Sequence, residues 1–164
     1  MASIFISHSS KDDWLIKPIA ENMHSIGIEP YLAELDTPTP YPLPQKLDKA
    51  IDTSIAMFVI LSSNVCSIKQ TRDVVNWEIA SAYAKKKPIY VFAEKGVDIP
   101  LMLNYITVYA RYDPLSKESL DQVVTKIHRT AFDLKQGDDR TKGIATFIMV
   151  ILGILALGAL AESK

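Results

Sequence analysis

Cysteine is all but missing from this 164-residue chain. Cys66 stands alone, so no intrachain disulfide is expected and the sequence suits a reducing compartment. A catalytic thiol would want a histidine beside it, and nothing in the sequence brings His8, His24 or His128 to Cys66, which reads as an ordinary polar-loop residue. The histidines are scattered and no metal-ligand spacing occurs, so no metal site is expected. Glycine is scarce as well. Its six copies are spread along the chain without a GxGxxG, P-loop or GxSxG pattern, which removes the common glycine-rich nucleotide and nucleophile-elbow motifs. Charge bias is lacking: Lys and Arg total 18 against 19 Asp and Glu, a net charge of -1, so nothing points to nucleic acid. The one basic run, Lys85-Lys86-Lys87, falls at a predicted helix end, where cations suit the dipole and water. The opening residues Ala2 to Ile6 read as a strand, without the basic start of a secretory leader.

What is present is enough apolar residue, 48%, for one core of ordinary size with a tail left over. Strands are predicted at Ala2 to Ser7, Ile28 to Ala33, Ala56 to Leu61, Pro88 to Phe92 and Ile106 to Ala110. Helix-length crossovers separate them, which argues for an α/β fold, a parallel sheet with helices on both faces. Ser10 and Asp13 begin the first helix in a capping-box pattern, Gly27 is placed to end it, and Pro18 is an obstacle inside it. Pro30 suits a sheet edge. Four prolines between Thr37 and Pro44 predict a stiff extended loop, with Pro44 entering the next helix in its first turn.

The stretch that organises the rest begins where the apolar strand Ala56 to Leu61 ends. Ser62, Ser63, Asn64 and Ser67 form a polar loop, and Asp73 to Tyr83 follow as a helix whose apolar stripe is Val75, Ile79, Ala82 and Tyr83. Glu78 falls on the border of that stripe, with no cation at i+3 or i+4 to pair with it. A boundary carboxylate held by a cap or a distant cation is the plain reading; a semi-buried functional acid is the sharper one. If the strand order is 2-1-3-4-5, the order reverses between the first and third strands, and ligands bind outside the carboxyl ends there. Ser7, His8, Ser9, Ser10 and Lys11 would reach that place from one side and Ser62 and Asn64 from the other, a set of short polar groups suited to ribose and phosphate.

A separate signal closes the chain. Residues 136–142 are polar, and 143–161 carry no charge over a length that can cross about 30 Å of hydrocarbon. Residues 1–135 are therefore expected as the domain, 136–142 as a linker, 143–161 as a transmembrane helix and 162–164 as a short tail. Lys135, Arg140 and Lys142 precede the apolar run, predicting a single-pass membrane protein with the domain facing the cytoplasm.

Ile4-Phe5-Ile6-Ser7-His8-Ser9-Ser10-Lys11-Asp12, Ala50 to Ser54, Val59 to Asn64 and Asn76-Trp77-Glu78-Ile79 resemble the TIR (Toll/interleukin-1 receptor) domain of the prokaryotic type over about Met1 to Phe132. The resemblance implies a flavodoxin-like fold. It also implies cleavage of NAD⁺ at the nicotinamide-ribose bond, by hydrolysis or cyclisation, with Glu78 at the catalytic position and NAD⁺ as substrate rather than cofactor. Self-association with other TIR protomers, with Trp77 as an interface candidate, and a role in antiphage defence signalling are further implications. The alternative is a non-catalytic, membrane-anchored adaptor acting through TIR-TIR contacts. The proline-rich loop after the second strand departs from the family, whose loop there takes part in assembly.

Overall fold

The computed structural model describes residues 1–34, 43–99 and 105–162. Its centre is the strand Ala56–Leu61 (β3), in which every side chain is buried. Alternation of side chains along a strand explains how one run of six apolar residues serves two cores. Met57, Val59 and Leu61 join one cluster, and Ala56, Phe58 and Ile60 join the other. On either side of β3 lie Ala2–His8 (β1) and Ile89–Glu94 (β4), with Ile28–Glu34 (β2) and Val108–Tyr112 (β5) at the edges. The order is β2-β1-β3-β4-β5 and every pairing is parallel, as expected from the sequence.

Helices Asp13–Ser25 (α1) and Lys117–Glu162 (α5) cover the face to which Ile4, Ile6, Phe58 and Ile60 point. Helices Leu43–Thr53 (α2) and Lys69–Ala84 (α4) cover the other, over Phe5, Met57, Val59 and Val91. A one-turn helix, Ser63–Cys66 (α3), occupies part of the loop expected after β3. Pro18 lies inside α1 without ending it, and Gly27 takes φ +74° after the helix, a conformation that other residues adopt at a cost. Pro30 is on the edge strand β2, where a missing donor leaves no central ladder broken. Of the proline-rich stretch, 37–42 lie outside the described residues; Pro44 is in the first turn of α2.

One expectation is corrected. The flavodoxin-like sheet is present, but the transmembrane helix over 143–161 is not: among the described residues no helix is long and apolar enough to cross a membrane. Residues 136–142, expected as a linker, are helical and continue α5, which runs unbroken for 46 residues. Lack of charge in a window reports composition, not where a helix begins. Here the helix starts at Lys117, and its turns up to Lys142 carry Lys, Arg, Asp and Glu throughout.

Candidate active site

The parity of β1 decides what its carboxyl end can reach. Phe5 packs toward α2 and α4, so Ser7, two residues on, points the same way. On α4 the buried positions are Thr71, Val75, Glu78, Ile79 and Ala82, so Glu78 takes a core place in the stripe rather than its border. The two side chains meet: Ser7 Oγ donates to Glu78 Oε2 at 2.5 Å, and both residues are 0% exposed. Burial pushes the Glu78 carboxyl up to about 7, with the Ser7 hydrogen bond pulling in the other direction. No ion pair to Glu78 occurs among the described residues, and Oε1 is buried without a partner there. Asn76 Oδ1 shares that condition, so the two unpartnered buried side-chain oxygens among the described residues lie on one turn of α4. Buried acceptors are nearly always satisfied, so Glu78 Oε1 marks a place where a donor from outside the fold would gain most; Asn76, two residues away on a helix, faces another direction.

Ser62 has the opposite parity. It follows Phe58 and Ile60 onto the α1 face, and there its Oγ donates to Asp12 Oδ2 at 2.5 Å. Asn64 Nδ2 donates to Asp12 Oδ1 at 2.6 Å. Ser62 and Asn64 are thus spoken for by a buried aspartate, not gathered around Glu78. Asp12 was not foreseen as a site residue, because an acid at a helix start reads as a cap. The signal that could have found it is a hydroxyl just after β3 on the face where α1 begins.

The remaining predicted residues divide by burial. His8 is buried on the α1 side, with Nδ1 3.3 Å from the Ile6 carbonyl and Nε2 3.8 Å from Asp13 Oδ1. Ser9 is buried and caps the 3-10 turn Ser10–Asp12 by accepting from the Lys11 amide at 3.3 Å. Ser10 and Lys11 are exposed at that turn. Trp77 is 40% exposed on α4. Burial raises the Cys66 thiol above its ordinary range, which suits a neutral loop cysteine. The lysines after α4 are not simply solvated: Lys85 pairs with Asp48 at 3.0 Å and Lys87 Nζ donates to the Asp52 carbonyl at 2.6 Å.

The family profile described as TIR domain matches residues 4–148. The chain belongs to the TIR-domain family. The match extends past the end expected from sequence and into the apolar part of α5. No curated protein sequence matches the chain. Among solved structures, a diflavin flavoprotein A3 from Nostoc sp. superposes with a TM-score of 0.59 at 16% identity, over 86% of this chain and 94% of that one. A CMP N-glycosidase from Clostridium botulinum gives 0.54 at 16% identity, over 74% and 96%. The TIR domain heterodimer of RPS4 and RRS1 gives 0.53 at 14%, over 80% and 99%. At these identities the likeness is one of fold.

Proposed function

We propose that this TIR domain cleaves the nicotinamide-ribose bond of NAD⁺, with Glu78 as the carboxylate that stabilises the reacting sugar. The observation that carries the reading is Glu78 itself: a carboxyl buried at a core position, in no ion pair among the described residues, bonded through one oxygen to Ser7 and unpartnered through the other. A glutamate kept for solubility would face water, and one kept for stability would be paired. The chemistry needs little more. Nicotinamide in NAD⁺ is a cation; as the C1′–N bond breaks, the electron pair leaves with the ring and neutralises it, so no general acid is required for departure. Positive charge develops on the ribose, and an anion in a poorly solvated place stabilises it strongly. Water then adds at C1′ and loses a proton, or a nitrogen of the adenine adds and closes a cyclic product. Ser7 holds the carboxylate. Ser10 and Lys11, exposed on the turn that follows β1, would be the groups to bind ribose and phosphate, while Ser9 is buried and caps that turn.

Support comes also from the fold shared with an enzyme named as an N-glycosidase, since the bond at issue is N-glycosidic. Association with further TIR protomers is part of the proposal, in keeping with the TIR heterodimer among the similar structures and with Trp77 exposed on the helix that bears Glu78. By family resemblance the setting is antiphage defence. The test is release of nicotinamide from NAD⁺ by purified protein, with chromatography separating linear from cyclic nucleotide products. Release by the wild type and its loss in Glu78→Gln supports the reading. Equal release from both, or none under clustering conditions, rejects it.

A further inference from the structure

Asp12 breaks a local rule. It occupies the N-cap position of α1, where an aspartate ordinarily accepts from the first free amides of its own helix, yet its side chain makes no such bond. The carboxylate is instead 3% exposed and reaches across the sheet end to residues fifty and more positions away. Both its oxygens are used, one by the Ser62 hydroxyl and one by the Asn64 amide. Local rules given up in favour of distant contacts concentrate where geometry serves function.

The contacts join two loops that both lead to Glu78. On one side, Asp12 is five residues from Ser7, and the span between is stiffened by the 3-10 turn, in which the Asp12 amide donates to the Ser9 carbonyl at 2.9 Å. On the other side, Ser62 both donates to Asp12 and accepts from the Val65 amide at 3.3 Å, fixing the start of α3, which packs on α4. We propose that Asp12 is a positioning residue of this site: its carboxylate clamps the loop bearing Ser7 to the loop that feeds α4, and so holds Ser7 and Glu78 in register. The proposal rests on the NAD⁺-cleaving reading for its kinetic consequence, because small displacements of a reacting group cost rate. It concerns the geometry of the Ser7–Glu78 pair whatever the substrate.

The polarity of the clamp gives the test. Asp12→Asn keeps one acceptor oxygen for two donors, so either Ser62 or Asn64 meets an amide NH₂ in place of a carboxylate oxygen, and Asn64→Asp would set two carboxylates face to face. The exchange Asp12→Asn with Asn64→Asp restores one acceptor opposite one donor. In the full chain, each single substitution is expected to lower kcat for nicotinamide release at least about tenfold with KM little changed. The double substitution should return kcat to within about threefold of wild type. Singles with wild-type kcat, or a double no better than the singles, overturn the clamp, even if melting temperatures fall. If the wild type releases no nicotinamide, it is the functional reading that fails, and the clamp is judged by the ¹³C-detected titration of the Glu78 carboxyl. A midpoint displaced in the singles and restored in the double upholds it; one midpoint throughout overturns it. Should Asp12→Asn not fold, Asn64→Ala removes one of the two bonds. A partial loss of kcat, or a displaced midpoint, then upholds the clamp, and no change in either overturns it.

Discussion

Glu78 and Ser7 form the smallest unit open to test, because on the proposed function the same carboxyl would shift stability and activity in opposite directions with pH. Its ordinary value of 4.5 applies to the unfolded chain, and burial raises it to about 7 in the fold. Between those values the folded protein holds a proton that the unfolded chain has lost. Stability from this group is therefore fully present below about 4.5 and is lost as pH rises through about 7, a swing on the order of 3 kcal/mol. Urea unfolding of wild type and Glu78→Gln at pH 5 and pH 8 checks the sign: glutamine should gain on the wild type at the higher pH. Nicotinamide release should run the other way, rising with pH through about 7 as the carboxyl ionises, and a flat pH profile would count against the role given to it. Ser7→Ala removes the one hydrogen bond that lowers the Glu78 value, so the midpoint should move above about 7, and stability should fall by about 1–3 kcal/mol, more at pH 8 than at pH 5. At this scale the sequence was informative about Glu78, whose position on the wheel and lack of an i+4 cation set it apart. It was less so for Ser62 and Asn64. With Ser7 they all lie at or just past strand ends, where sequence does not separate them, but the parity of β1 and β3 sends Ser7 and Ser62 to opposite faces.

The elements follow from patterns that short windows carry well. β3 is found at the limits its apolar run defines, and Gly27 takes the left-handed conformation that ends α1. Gly27→Ala should cost about 1 kcal/mol through its φ alone, since the nearest atom to an added Cβ, Lys135 Nζ at 3.0 Å, is the movable end of a side chain. Ile79→Ala on α4 opens the core beside Glu78 and should cost about 2–5 kcal/mol by chemical denaturation. α2 and α4 are further tied by Asp48, whose carboxyl is held below its ordinary range by the Ser81 hydrogen bond and by Lys85. That tie is near the surface, so Lys85→Ala should cost under about 1 kcal/mol. α5 is where sequence and structure differ. Gly137 in a charged stretch reads as a linker and the uncharged run after it as a separate span, yet one glycine costs a helix only about 1 kcal/mol and α5 continues through it.

Over the whole molecule, the strand count and helix-length crossovers argue for a parallel sheet, and its order is the one that the flavodoxin-like resemblance implies; that order places the reversal between β1 and β3. What the rules could not give is how the polar groups at that end are shared out, since this depends on which face each loop enters. The structure divides them into a Glu78–Ser7 pair on the α4 side and an Asp12–Ser62–Asn64 set on the α1 side. Trp77 and Glu78 are neighbours on α4, one exposed and one buried, so a partner resting on Trp77 would lie next to the site's helix. Trp77→Ala should weaken self-association by sedimentation, and lower nicotinamide release more at dilute than at concentrated protein. The most direct measurement is nicotinamide released from NAD⁺ at pH 8 by wild type and Glu78→Gln, compared at protein concentrations where both are folded and equally associated. Turnover by the wild type with a loss of at least about a hundredfold in the variant is what a single stabilising carboxylate requires. Matching rates from the two proteins would contradict it.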